Sequence, residues 1–203
     1  MKRFSFFIDG FNLYHSIDDK PSYHKYKWLN IKKLAECFIS KNQKIEQIYY
    51  FTALAEWAPK KVKRHKQLIT ILKLNDINVV YGKFRKIEKK CRLCKKTYQT
   101  YEEKQTDVNI AIQLFRSAIQ DEYDTAMVMS GDSDLIPSIE AVKDTFPNKQ
   151  VGVIIPIGRR AELLKQRSDF HMKIKEKHLK SSMFDETVKI NENTHITCPS
   201  KWK

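Results

Sequence analysis

Residues 125–134 read Thr-Ala-Met-Val-Met-Ser-Gly-Asp-Ser-Asp, a short strand-forming run that ends in a turn carrying two acids. The same pattern stands at the start of the chain, where the apolar run Phe4–Ile8 is closed by Asp9-Gly10. Short apolar runs bounded by turn residues are typical of strands buried on both faces of a parallel sheet. Around these two runs, helix and strand patterns alternate. Ile31–Ile39 carries Ile31, Leu34, Ala35 and Phe38 at helical spacing, and Ile45–Phe51 reads as a strand. Pro59, at a favoured first-turn position, opens a helix to about Leu74, and Ile77–Tyr81 reads as a third strand. Lys104–Ile119 reads as a helix with Val108, Ala111, Ile112, Phe115 and Ile119 facing inward. Asp134–Val142 reads as a further helix and Val151–Ile155 as a fifth strand. This alternation predicts an α/β fold with a mostly parallel, five-stranded sheet covered by helices on both faces. A basic insertion without periodicity occupies about 84–101, and periodicity fades after about Asp169. The expected organisation is one domain over 1–180 and a tail over 181–203.

A chain of 203 residues that is 41% hydrophobic and 11% aromatic can build one core and is not disordered. Only 5 Gly and 6 Pro exclude fibrous and low-complexity classes. No apolar run approaches the ~18 residues of a membrane span, so no membrane partner is expected. Asp9 interrupts the first apolar run too early for a signal peptide, and 4 unevenly spaced Cys suit a reducing compartment. The expected location is the cytoplasm. The net charge of +14 is uneven, with +11 over residues 51–100 and −6 over residues 101–150. Basic surface attracts polyanions, foremost nucleic acid.

In open α/β sheets, ligands bind beyond the carboxyl ends of strands where the strand order reverses. Asp9 follows the first strand, and Asp132 and Asp134 follow the fourth. Asp107 joins them if its helix packs beside the strand it precedes. Two carboxylates ~4 Å apart at an effective dielectric near 20 repel by roughly 4 kcal/mol, so such a cluster favours a hard divalent cation. Mg²⁺ or Mn²⁺ suits carboxylate and water ligands and can activate water against a phosphodiester. Each residue also has a plainer role: Asp9-Gly10 as a turn, Asp132 and Asp134 as helix-capping acids, Asp107 as a solvated first-turn acid, and Asn12 as a cap for Leu13–Ile17.

Three stretches, FIDGFNLY at 7–14, EKQTDVNIAIQL at 103–114 and SGDSDLIPSI at 130–139, closely resemble the NYN domain, and more narrowly the LabA-like branch of the PIN-like nucleases. The resemblance extends over roughly Lys2–Asp169. It implies a Rossmann-like three-layer sandwich with strand order 3-2-1-4-5 and a metal-dependent ribonuclease. It assigns Asp9, Asp107, Asp132 and Asp134 to the metal site, Asn12 to the polar position beside the first acid, Lys104 to the lysine of a Glu-Lys pair, and Ser130 to the position before the paired acids. A haloacid-dehalogenase-like phosphatase also uses acids after strands one and four, but it needs a second acid where this chain has Phe11. The alternative from another class is an RNA-binding or adaptor module that keeps a metal pocket without useful turnover.

The basic residues suggest where RNA, single-stranded or structured, would lie. Lys60, Lys61, Lys63 and Arg64 surround one helix and could track phosphates, and Lys83–Lys96 adds eight more basic residues with Phe84 and Tyr98 for base stacking. Arg159 and Arg160 follow the fifth strand and could hold a phosphate. Cys91 and Cys94 form half of a zinc site, and His195 with Cys198 has matching spacing, so the arithmetic admits a Zn²⁺ site of three Cys and one His. The sequence leaves a homo-oligomer open.

Overall fold

The computed structural model of the chain describes all 203 residues. Its first half runs β1 (Lys2–Asp9), α1 (Gly10–Asp18), α2 (Ile31–Glu36), β2 (Gln43–Thr52), α3 (Pro59–Leu74) and β3 (Asn78–Tyr81). A hairpin of β4 (Lys83–Lys90) and β5 (Thr97–Lys104) leads to α4 (Thr106–Ile119), β6 (Thr125–Met129) and α5 (Ile136–Thr145). The chain closes with β7 (Gln150–Ile155), α6 (Glu162–Arg167), β8 (Phe170–Lys173), α7 (Glu176–Ser181), β9 (Thr187–Asn191) and β10 (Thr194–Thr197).

Six strands form one parallel sheet in the order β3-β2-β1-β6-β7-β8. The α/β architecture follows the expectation, but the strand count and the order 3-2-1-4-5 do not. The insertion, which carries no periodicity to read, forms the antiparallel hairpin of β4 and β5 outside the sheet, which shifts the numbering of every later strand. Most of its side chains are exposed, so no buried face imprints a period of two on the sequence. The sixth strand, β8, has only four residues, none fully buried, so the alternation of Phe170 and Met172 with His171 and Lys173 is too short to stand out.

β1 is the pivot. It pairs with β2 on one side and β6 on the other, and Phe4–Ile8 are all buried. Alternation hidden in this apolar run appears in the packing. Phe4, Phe6 and Ile8 enter a core with α1, α2 and α3, whereas Phe7 enters a second core with α4, α5 and α6. Arg3 fastens the start of the strand, bonding Asp124 at 2.7 Å and Asp121 at 2.9 Å. At the other end, Ile8 stands opposite Met129, so Asp9 and Ser130 leave the sheet side by side. Strand order reverses between β1 and β6, which makes this edge the crevice where such sheets bind ligands.

α4 presents a different face from the expected one. Ile110, Leu114, Ser117 and Ala118 are buried, while Val108, Ile112 and Ile119 are 58%, 51% and 64% exposed. The helix carries apolar residues on two faces, and periodicity alone does not distinguish them. The segment expected as a tail over 181–203 folds back: β9 and β10 pair, and Cys198 and Trp202 join the first core, with Trp202 6.2 Å from the Trp28 ring. On β9 only Val188 and Ile190 alternate toward that core, and so short a signal does not mark the segment as part of the domain.

The rotation of α4 gives the first prediction. Leu114→Ala should cost about 2–5 kcal/mol of unfolding free energy, whereas Ile112→Ala should stay within about 0.5 kcal/mol. Urea denaturation of both variants measures this, and equal costs would mean that α4 faces the other way.

Candidate active site

Asp9 ends β1 and caps α1. Its Oδ1 accepts the Asn12 backbone N–H at 2.9 Å, and its Oδ2 accepts from Ser130 Oγ at 2.8 Å. The Asn12 side-chain oxygen accepts the Gly131 N–H at 3.0 Å, and Ser130 Oγ accepts the Asp132 N–H at 3.1 Å. Asp132 Oδ1 in turn accepts the Asp134 N–H at 3.0 Å and caps the short turn Ser133–Leu135. Side chains from each strand end thus satisfy polar groups of the other. Gly10 is required by space, since a Cβ there would lie 2.6 Å from both the Phe51 carbonyl oxygen and the Tyr50 ring.

The electrostatics follow from this packing. Asp9 is only 5% exposed, and burial raises its pKa to about 6. The bonds from Asn12 and Ser130 oppose the rise, while the charges of Asp107 and Asp132 add to it. Asp107 lies three residues before Ile110, on the buried side of α4, and is half-buried. Its pKa is raised by burial first, then by Asp132, Glu103 and Asp134. None of the four aspartates forms an ion pair.

Four carboxylates without a cationic partner are a donor set that fits a hard divalent cation. The expected convergence is nevertheless incomplete, because no three His, Cys, Asp or Glu side chains stand together as a ligand set. Both oxygens of Asp9 are committed to Asn12 and Ser130, and the remaining like charges repel one another.

The other expected residues divide by position. Asn12 and Ser130 are built into the site. Lys104 is exposed and pairs with Glu102 at 3.0 Å instead of with the aspartates. Arg159 lies against Gly131 and pairs with Asp19 at 3.0 Å, and Arg160 is exposed. The basic face of α3 splits in two. Lys61 and Arg64 turn toward a cavity lined by Gly10, Lys63 turns toward a groove with Lys66 and Ile196, and Lys60 is exposed.

Cys91 and Cys94 sit at the hairpin tip, where backbone N–H groups of Cys94 and Leu93 hold the Cys91 thiol below its ordinary pKa. His195 is exposed on β10, while Cys198 is buried in the core and its thiol is raised by burial. These four side chains are not assembled into a ligand set, so the zinc site admitted by spacing is not formed. The thiol of Cys198 is occupied in packing.

Two further participants carry no role in the sequence reading. Glu103 accepts the Thr106 N–H at 3.2 Å and so closes the start of α4 beside Asp107. Trp57 lies in the loop after β2, a strand end that the rule used for Asp9 would also have singled out.

Comparison with known proteins agrees with this fold. The NYN domain family matches residues 3–174. A local segment of 55 residues is 33% identical to 6-hydroxy-3-succinoylpyridine 3-monooxygenase HspA of Pseudomonas putida, covering 27% of this chain. The chain spans only 17% of that relative's length. The fold is similar to a crystal structure of a protein of unknown function, VPA0982 from Vibrio parahaemolyticus, with a TM-score of 0.58 and 16% identity. That alignment covers 90% of this chain and 96% of the other.

Burial of Asp9 predicts a stability that falls as pH rises. The group titrates from 3.8 when unfolded to about 6 when folded, so between these values the folded chain holds the extra proton. Raising the pH from about 4 to about 7 should cost up to ~3 kcal/mol through this group in metal-free buffer. Asp9→Asn should remove that loss, so its unfolding free energy should gain on wild type across this range. A difference that stays constant with pH would mean that Asp9 titrates like an exposed carboxylate.

Proposed function

The chain belongs to the NYN domain family of PIN-like nucleases, and from that premise we propose that it is a divalent-metal-dependent endoribonuclease of the LabA-like branch, acting in the cytoplasm. The observation that carries this reading is the stitched pair of strand ends. Asp9 and Asp132 are held through Ser130, at the reversal of strand order, among acids that lack cationic partners. Asp9, Asp107, Asp132 and Asp134 would hold Mg²⁺ or Mn²⁺, which supplies a bound water of lowered pKa and charge neutralisation at the phosphodiester.

The chain's own residues do the rest. Ser130 and Asn12 fix the orientation of Asp9, and the fixed carboxylate needs no reorganisation when the substrate arrives. Arg159, beside Gly131, would meet a phosphate at the same edge by exchanging its ion pair with Asp19. Lys61 and Arg64 line the cavity that Gly10 also lines, and would give the backbone of RNA a track toward the acids. Lys60, Lys63 and the exposed Arg160 add charge farther out.

One observation favours a second reading, an RNA-binding or adaptor module with little turnover: no three carboxylates form a closed ligand set. Cleavage assays on single-stranded and structured RNA with titrated Mn²⁺ separate the two. The nuclease reading expects metal-dependent cleavage that EDTA stops. It expects Asp132→Asn to lose at least ~100-fold in rate, the equivalent of about 3 kcal/mol of transition-state stabilisation, while RNA binding and folding persist. Cleavage that survives EDTA, or that persists in the folded variant, would overturn it, and binding without cleavage at any metal concentration would favour the adaptor.

A further inference from the structure

Beside the acids, a cavity of about 290 Å³ opens between α1, the loop after β2, α3 and the hairpin. It adjoins the acidic end. Gly10, the residue after Asp9, lines it, as does Tyr50, whose ionisation is opposed by burial and by the Asp9 charge. The walls are aromatic: Phe11, Tyr14, Trp57 and Phe84. Phe84 stands edge-on to Phe11 at 5.4 Å and to Trp57 at 4.7 Å between ring centroids. Tyr101 of the hairpin stacks on Trp57 at 3.7 Å with an interplanar angle of 2°, so the indole is braced although it is 42% exposed.

Lys61 and Arg64, one turn apart on α3, complete the lining. Neither has an acidic partner, whereas Asp18, the one acid in the wall, is already paired with Lys27 and His24. His65 also lines the cavity, with Nε2 3.2 Å from Thr52 Oγ1. Burial lowers its pKa to about 4, so it offers a neutral polar edge and no charge.

A slot of this volume lies at the lower limit for small-molecule sites, which favours one ring system over a larger ligand. Flat aromatic walls favour a planar heterocycle, and two unpaired cations favour an anion attached to it. A base within a duplex is stacked and paired and cannot enter such a slot. We propose that this cavity receives a single unpaired base of the RNA, with Lys61 and Arg64 on its adjoining phosphate. The inference rests on the ribonuclease reading for the polymer it assigns. It deepens that reading, since a base held next to Asp9 directs cleavage to unpaired nucleotides.

Calorimetric titration of the full chain in EDTA with AMP, CMP, GMP, UMP and ribose 5-phosphate tests the cavity without any contribution from metal or turnover. At least one nucleotide should bind tenfold or more tightly than ribose 5-phosphate, which has the phosphate and sugar but no base. Trp57→Leu and, separately, Lys61→Gln should each weaken that binding about tenfold. Ribose 5-phosphate binding as tightly as every nucleotide, or no saturable binding of any nucleotide by wild type, would overturn the proposal. Metal-dependent cleavage accompanied by that failure would leave the ribonuclease reading intact, whereas selective nucleotide binding without cleavage would support the cavity and count against the nuclease.

Discussion

Burial of the Asp9 carboxylate at the end of the central strand governs the arrangement around it, because a charge removed from water must be neutralised, hydrogen-bonded or both. Parallel pairing of β1 with β2 and β6 causes the burial, and α1 begins immediately over the strand end, where Gly10 leaves room for Phe51 and Tyr50. The two donors offered to Asp9 come from different places, Asn12 on α1 and Ser130 after β6. Both donor residues also accept a backbone N–H from the stretch Gly131–Asp132. Satisfying the carboxylate and fixing the two strand ends are therefore one set of bonds, and the acid's geometry is inherited by Asp132 and Asp134.

Around that centre the chain separates opposite charges in space. The acids occupy the reversal of strand order, while α3 offers Lys61 and Arg64 to the neighbouring cavity and Lys63 and Lys66 to a groove on its other side. The hairpin that follows is not a continuation of the sheet. Aromatic contacts through Trp57, Phe84 and Tyr101 attach it to the sheet's carboxyl edge, so the insertion becomes a wall beside the acidic end. Such ring contacts contribute beyond the area they bury and fix orientation through their edge-on and stacked geometries. A basic insertion thereby contributes positive charge through its lysines and shape through its aromatics.

The acids were legible because Asp9 directly follows one apolar run and Asp132 and Asp134 stand in the turn that closes another, and a strand's end is a local property of sequence. β1 and β6 could be read for the same reason, since strands buried on both faces leave continuous apolar runs. Other elements left weaker traces. β8 is short and lies at an edge, the hairpin is exposed on both faces, and the anchors Cys198 and Trp202 stand apart in the C-terminal segment. In α4 the sequence offers two apolar faces, and only packing against the sheet selects Ile110, Leu114 and Ala118 over Val108, Ile112 and Ile119.

The sequence by itself determined the α/β alternation, the strand-end acids and the uneven charge, because each depends on residues adjacent or periodic along the chain. The tertiary structure alone decided that the sheet has six strands, that Ser130 and Asn12 serve Asp9, that Cys91 and Cys94 are not assembled with His195 and Cys198, and that Trp57 meets Phe84 and Tyr101 beside Gly10. Those relations join residues far apart in the chain, and they arise from burial and packing geometry, for which local spacing carries no signal.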